Sequence, residues 1–389
     1  MNNFDFCTPT RVIFGKGVIS ELPEALGALG KKVLLTYGGG SIKKTGLYEK
    51  IIGLLKDFEV YELSGIEPNP KYSTSVVDGV RICKENKIEV ILAVGGGSVL
   101  DCSKAIAAGA VYDGETWDLI TGKVPTKGAL PIVDVLTIAA TGSEYDCGAV
   151  ISRTETNDKT AYIDSYLFPV CSILDPTYTF TVSKKQTAAG VADAMSHVME
   201  QYFGNPSTIL NDGMCAAAIK SLMINAPVAL KEPDNYDARA QIMFVCTLAC
   251  NGIFSLGNGL SGWPCHGMEH ALSGFYDITH GEGLAILTPR WLKHILCDKT
   301  VKRIAQFGTE IMGVKSGLSD YETATQAIQK LYDFFVSIGI PMSLKEVGID
   351  EKRIDEMAHH IAINEGLDDP SLFAPLSEQD IKEILIASL

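Results

Sequence analysis

Histidine is scarce in this 389-residue chain, with seven in all. Basic residues are in deficit too: 33 Lys and Arg stand against 47 Asp and Glu, a formal net charge of −14. Without a broad basic field, neither nucleic acid nor an anionic membrane surface is expected as a partner. Paired cysteines are missing. The ten cysteines are scattered with no CxxC, and Cys246 and Cys250 sit at helical spacing in an apolar run. That pattern fits a reducing cytoplasm better than a disulfide scaffold. Long apolar runs are missing as well. The longest candidate, Ile242 to Cys250, includes Thr247 and falls far short of the ~20 residues of a membrane helix. The opening MNNFDFCTPTR lacks a basic segment followed by an apolar one, so no secretory signal is expected.

What is present describes a globular protein of more than one core. Hydrophobic residues make up 46% and charged residues 21%, and the length suggests two domains. The first half alternates strand and helix periodicities. VIF (12–14), VLLTY (33–37), VYEL (60–63) and VILAV (90–94) read as strands. Residues 18–29, 47–55, 75–84 and 99–110 have helical spacing. Such alternation predicts a parallel sheet covered by helices on both faces. IVDVLTI (132–138), AVIS (149–152) and SIL (172–174) are further strand candidates. The character then changes. SKKQ, from Ser183 to Gln186, fits a capping box at a helix start, and helical windows dominate from there to the C-terminus. The division is therefore an α/β domain over 1–180 and an all-helical domain over 181–389.

Two glycine loops, YGGGS (37–41) and VGGGS (94–98), each follow a buried strand and open a helix. Glycines allow close backbone approach to a phosphate, and a helix N-terminus supplies unpaired N–H groups. Neither loop is GxGxxG, because Lys43 and Leu100 occupy the third-glycine places. One such loop alone is more simply a tight turn. Two of the same type at neighbouring strand ends point to a nucleotide site.

Three of the seven histidines, His266, His270 and His280, fall within GWPCHGMEHALSGFYDITHGEG (262–283). His266 and His270 are spaced i,i+4, as are Asp193 and His197 in GVADAMSHVMEQYF. On a helix, each pair shares a face and can grip one ion. A competing reading takes HGMEH as H-x-x-E-H, with Glu269 as the general base of a metallohydrolase. That reading leaves the glycine loops, Asp193 and His197 unexplained.

Together the motifs YGGGSIKKTG, EPNP, VGGGSVLDCSK, TIAATGSEYDCGAVIS, LDPTYTFT, TAAGVADAMSH, CHGMEHALSGFYDITHGEGLAIL and PLSEQDIKEIL carry a resemblance over nearly the whole chain. It resembles the iron-containing (group III) alcohol dehydrogenases, most closely their butanol dehydrogenase branch. The resemblance implies a dehydroquinate synthase-like arrangement: an α/β nucleotide-binding domain, an all-α metal-binding domain, and an active site in the cleft between them. It implies Asp193, His197, His266 and His280 as metal ligands, with Fe²⁺ bound or, alternatively, Zn²⁺. His270 is then a catalytic residue near the nicotinamide. Gly95, Gly96, Gly97 and Ser98 hold the pyrophosphate with Asp101 close by, and Thr137 and Thr141 line the cofactor cleft. Asn69, Lys159 and Tyr178 match other cofactor-contacting positions. Many members carry an aspartate in the first loop, where it binds the adenosine ribose. This chain has Gly38, Gly39, Gly40 and Ser41 there. A carboxylate would repel the extra phosphate of NADP, so its lack favours NADP(H) over NAD(H). The substrates implied are short primary alcohols such as butanol and their aldehydes, with a glycerol dehydrogenase-like polyol enzyme as the neighbouring alternative. A cytoplasmic homodimer is expected.

Overall fold

The computed structural model describes residues 1–204, 207–259 and 262–389. The chain forms two compact units. One comprises Cys7–Val182 with Pro233–Asn251, the other Met1–Phe6, Ser183–Glu232 and Gly252–Leu389.

The first unit is built on six parallel strands: β1 (Arg11–Phe14), β2 (Lys32–Tyr37), β3 (Glu59–Leu63), β4 (Val90–Gly95), β5 (Ile132–Leu136) and, after the β6–β7 hairpin described below, β8 (Cys171–Leu174). Their order across the sheet is β1-β8-β5-β4-β2-β3. Side-chain alternation feeds two cores. Val33, Leu35, Leu92 and Val94 pack on the face of α1 (Leu22–Gly27), α2 (Ser41–Lys44) and α3 (Leu47–Leu54). Leu34, Ile91 and Ala93 pack on the face of α4 (Val77–Asn86), α5 (Gly97–Ala110) and α6 (Thr116–Ile120). Burial on both faces explains why these strands read as near-continuous apolar runs. From β2 the chain steps out to β3, then returns to lay β4 on the other side of β2. Strand order thus reverses between β2 and β4, where open α/β sheets form their ligand crevice.

AVIS does not join this sheet. It lies in β6 (Gly148–Arg153), which pairs antiparallel with β7 (Asp158–Ile163). The sequence reading missed β7, DKTAYI, because its polar, charged residues mask a half-exposed strand. Asn157, at φ 55, takes the left-handed position of the intervening turn.

The helical unit opens with α7 (Lys184–Tyr202), capped by Ser183 Oγ accepting from the Gln186 backbone N–H at 3.2 Å. Next comes α8 (Ile209–Lys231), which packs on α7. By length and composition alone α8 is apolar enough to cross a membrane, which corrects the expectation that no such run exists. It carries a buried Asp212 whose carboxylate accepts from the two terminal guanidinium nitrogens of Arg303 at 2.7 and 2.6 Å.

The units depart from a boundary at residue 180 in two places. Helix α9 (Tyr236–Ala249) belongs with the α/β unit. Its Thr247 hydroxyl donates to Glu144 at 2.6 Å, and its Phe244 meets Phe14 edge-on at 5.9 Å. Gly142, at φ +76, passes so close that a Cβ there would stand 2.8 Å from the Cys246 carbonyl oxygen. Conversely, Asn2 ties the first residues to the helical unit, with its backbone N–H on the Gly257 carbonyl at 2.8 Å. Helical periodicity reveals that a helix exists but not which core it covers.

Glu144 brings a pH dependence. Burial pushes its carboxyl from 4.5 up to about 7, against the hydrogen bond from Thr247. Its Oε2 has no hydrogen-bond partner among the described residues. A raised folded-state pKa contributes stability that is complete below the unfolded value near 4.5 and is lost as pH rises through about 7. Glu144→Gln keeps an acceptor for Thr247 and removes the titration. The variant should gain on the native protein by up to about 3 kcal/mol between pH 5 and pH 8. Parallel thermal melts at the two pH values would test this; an equal offset at both would refute it.

Candidate metal centre and cofactor loops

Asp193 and His197 lie one turn apart on α7, both buried. His266 and His270 are one turn apart on α10 (Pro264–Tyr276), and His280 is the first residue of α11 (His280–His294). A close approach seats α11 on α7: a Cβ at Gly281 would fall 2.0 Å from the Ala189 carbonyl oxygen. Only glycine permits that contact, which brings His280 to Asp193.

Three imidazoles converge on one carboxylate oxygen. His197 Nε2 lies 3.5 Å from Asp193 Oδ1, and the Nε2 atoms of His266 and His280 both lie 3.8 Å from it. The His197 and His266 rings stack at 4.6 Å, with the edge of Trp263 against both. Asp193 Oδ1 and His266 Nε2 are buried and have no hydrogen-bond partner among the described residues. Buried polar atoms are ordinarily paired. Donor atoms bonded at about 2.0–2.2 Å around one tetrahedral ion stand roughly 3.3–3.6 Å apart, close to the spacing here. Three imidazoles with one carboxylate suit Zn²⁺ or Fe²⁺. These residues therefore fit a divalent metal.

Charge is divided unevenly over the cluster. Burial opposes charge on Asp193, but the surrounding imidazoles hold its carboxyl below the usual carboxylate range. Burial keeps His197 neutral, down at about 3 despite Asp193. At His266 burial is outweighed by Glu200 and Asp193, and the imidazole is pushed up to about 9.

Two buried glutamates stand behind the imidazoles. Glu200 Oε1 lies 2.9 Å from His266 Nδ1 and accepts the His266 backbone N–H at 3.2 Å. Its Oε2 accepts the Cys265 backbone N–H at 3.2 Å. Glu269 faces His280 Nδ1 and accepts from the Ser273 hydroxyl. Glu269 is thus engaged behind a histidine, and the hydrolase reading, with Glu269 as a general base, is not favoured. Sequence reasoning missed Glu200 altogether. Its signal was available: 193, 197 and 200 form an i, i+4, i+7 stripe on one helix face. His270 borders this cluster, its ring 5.8 Å from that of His280 and 6.4 Å from that of His266, and with Glu269 and His280 it forms a second group whose donor atoms lie within 4.8 Å of one another.

In the α/β unit, the glycine loops leave adjacent strand ends. Tyr37 is in register with Val94, and Gly95 with Leu136. Gly38–Gly40, Gly95–Gly97 and the Thr137–Thr141 segment therefore emerge side by side at the strand-order reversal. A Cβ at Gly97 would meet Thr141 Oγ1 at 2.4 Å, and the Thr137 backbone N–H donates to the Gly95 carbonyl at 2.8 Å. Ser41 is exposed and Ser98 half-buried. Asn69, at φ 49, holds a left-handed bend before Pro70, whose carbonyl accepts the Ser152 N–H at 2.9 Å. Lys159 is buried on β7. The Tyr178 hydroxyl is buried without a partner among the described residues, and burial pushes it up to about 12. Asp101 is turned to the protein: its oxygens accept from the Ser143 hydroxyl at 2.7 Å and the Val150 N–H at 2.9 Å. It pins α5 to the segment after β5.

A doubly wound sheet with paired glycine loops and a helical body with this donor cluster are the parts of a metal-dependent oxidoreductase that uses a nucleotide. The chain belongs to the iron-containing alcohol dehydrogenase family. The family model described as iron-containing alcohol dehydrogenase matches residues 9–176, and that of its C-terminal part matches 187–389. The NADH-dependent butanol dehydrogenase A of Clostridium acetobutylicum is 46% identical, covering 99% of each chain. The NADPH-dependent aldehyde reductase YqhD of Escherichia coli is 41% identical over 91% of each. The crystal structure of NADH-dependent butanol dehydrogenase A from Thermotoga maritima superposes with a TM-score of 0.94 at 38% identity, covering 100% of this chain and 99% of that one.

Proposed function

We propose that this chain interconverts short primary alcohols of about butanol size and their aldehydes, with a nicotinamide cofactor and a divalent metal held by Asp193, His197, His266 and His280. The observation that carries the reading is the convergence of three Nε2 atoms on the partnerless Asp193 Oδ1. The names of the relatives support the substrate class. When bound, iron, or zinc in its place, acts as a Lewis acid toward the substrate oxygen, and the nicotinamide carries the hydride. The chain's own part is to fix donors, exclude water and handle a proton. Burial of Asp193, His197 and His266 keeps competing water away, and the His270 imidazole exchanges the proton that accompanies hydride transfer. Gly95, Gly96, Gly97 and Ser98 receive the pyrophosphate at the start of α5, with Asp101 bracing that loop. Thr137, Thr141, Asn69, Lys159 and Tyr178 complete the cofactor site.

NADPH is used at least as well as NADH. The first loop, Gly38–Ser41, offers no carboxylate. Nearby Glu62 is occupied by the Tyr37 and Tyr48 hydroxyls at 2.7 and 2.6 Å. Lys43 lies over the rings of Tyr37 and Tyr48 at 5.0 and 4.5 Å, a cation within one turn of the loop. The test is a steady-state assay of the metal-loaded protein, crossing NADH and NADPH with aldehydes of increasing length and with glycerol. Activity confined to polyols would overturn the substrate class. Nothing lies within 4 Å of a Cβ at Gly39, so Gly39→Asp adds a carboxylate without a clash. It should lower kcat/KM for NADPH by about 100-fold, near 3 kcal/mol of repulsion, and leave NADH within a few-fold. Equal losses would show that the adenosine ribose is read elsewhere.

The reading includes a homodimer in the cytoplasm. Among the described residues β1 pairs only with β8, leaving an open sheet edge that a second copy can cover; light scattering at one chain mass would refute it. All ten cysteines are free thiols, which suits a reducing compartment. Nucleic acid and membrane are not among the proposed partners, given the net charge of −14.

A further inference from the structure

We infer that Glu200 and Glu269 are positioning residues that set the affinity of the metal centre, each by holding the Nδ1 of one ligand imidazole so that its Nε2 faces the ion. The inference rests on the ligand set proposed above. An ionised carboxylate only accepts hydrogen bonds. With Glu200 Oε1 2.9 Å from His266 Nδ1, the Nδ1 proton is held, so the proton a metal displaces is the one on Nε2, and the lone pair left there faces the ion. The same holds for His280, whose Nδ1 faces Glu269 while its Nε2 lies 3.8 Å from Asp193 Oδ1.

Both carboxylates are anchored independently of the imidazoles. Glu200 takes the backbone N–H groups of Cys265 and His266, each at 3.2 Å, and lies 3.2 Å from the Ser196 hydroxyl. It joins α7 to the first turn of α10, where a negative charge is favoured by the helix dipole. Glu269 is completely buried and accepts from Ser273, one turn further along α10. A Cβ at Gly283 would lie 2.7 Å from Glu269 Cγ, so α11 is packed directly against it. Glu269 has a donor atom within 4.8 Å of those of His270 and His280, but it meets His280 through Nδ1, whereas Nε2 is the nitrogen that faces Asp193. The joint effect of the two glutamates is to lock two tautomers, make two imidazoles more basic, and bring the carboxylates around the ion to three. That charge favours a divalent cation. Outer carboxylates of this kind are worth roughly 10- to 100-fold in metal affinity.

The test uses the full-length protein and Co²⁺. Dissociation constants come from competition with a chromophoric chelator, and the visible Co²⁺ spectrum reports the ligand field. Native protein, Glu200→Gln, Glu269→Gln and His266→Ala are compared, and thermal midpoints are recorded without metal. Each glutamine variant should bind Co²⁺ about 10- to 100-fold more weakly, with an altered visible spectrum and a metal-free midpoint close to native. Native affinity in both glutamine variants, with His266→Ala unable to bind, would overturn this inference alone. Binding retained by His266→Ala would overturn the ligand set beneath it. A fall in the metal-free midpoint large enough to account for the lost binding would mean that the glutamates only support the fold, and would also overturn the inference.

Discussion

Replacing His266 with alanine is expected to abolish metal binding and turnover together. The loss should exceed the roughly 100-fold that changes behind a ligand produce. One donor of four would be gone, and its removal leaves Asp193 Oδ1 facing only His197 and His280. The fold should survive. Glu200 would keep the backbone N–H groups at 265 and 266 and the Ser196 hydroxyl as partners, so its carboxylate stays satisfied. His280→Ala should behave alike, since Glu269 keeps Ser273. Metal content by emission spectroscopy, beside turnover and a thermal melt, separates loss of metal from loss of structure. Full metal with normal turnover in either variant would refute the ligand assignment.

His270→Ala should do something different: keep the metal and slow turnover by about 100-fold, the scale of general acid–base catalysis by one group. His270 is on the same helix face as His266, yet its ring lies 6.4 Å from that of His266 and 5.8 Å from that of His280. Asp193 Oδ1 gathers the other three imidazoles. The pH–rate profile should change along with the rate. Metal analysis with a full profile tests both halves. An unchanged rate and profile would make His270 a structural histidine, and loss of metal would make it a ligand.

Much of this was legible from residue order. Strand runs in the first half announced themselves because a parallel strand buried on both faces is apolar at every position, as in VLLTY and VILAV. The Asp193/His197 and His266/His270 spacings were legible because an α-helix places i and i+4 together whatever surrounds it. β7 was not, since a hairpin strand such as DKTAYI declares itself only through its partner. Helix α9 was legible as a helix but not as part of the α/β unit. Glu200 was hidden differently: its stripe with Asp193 and His197 is plain afterwards, yet its role depends on His266, 66 positions away.

The sequence by itself determined the local elements, the two glycine loops and the donor types, because backbone preference and side-chain chemistry act over a few residues. It also set the excess of negative charge and the dispersal of thiols. Only the tertiary structure decided which oxygens and nitrogens meet. The Gly281 approach to Ala189 brings His280 to Asp193, the buried Glu200 meets His266 Nδ1, and Glu269 meets His280 Nδ1. Contacts between distant segments arise from helix packing, and packing depends on complementary shape at sites that share no neighbourhood in sequence.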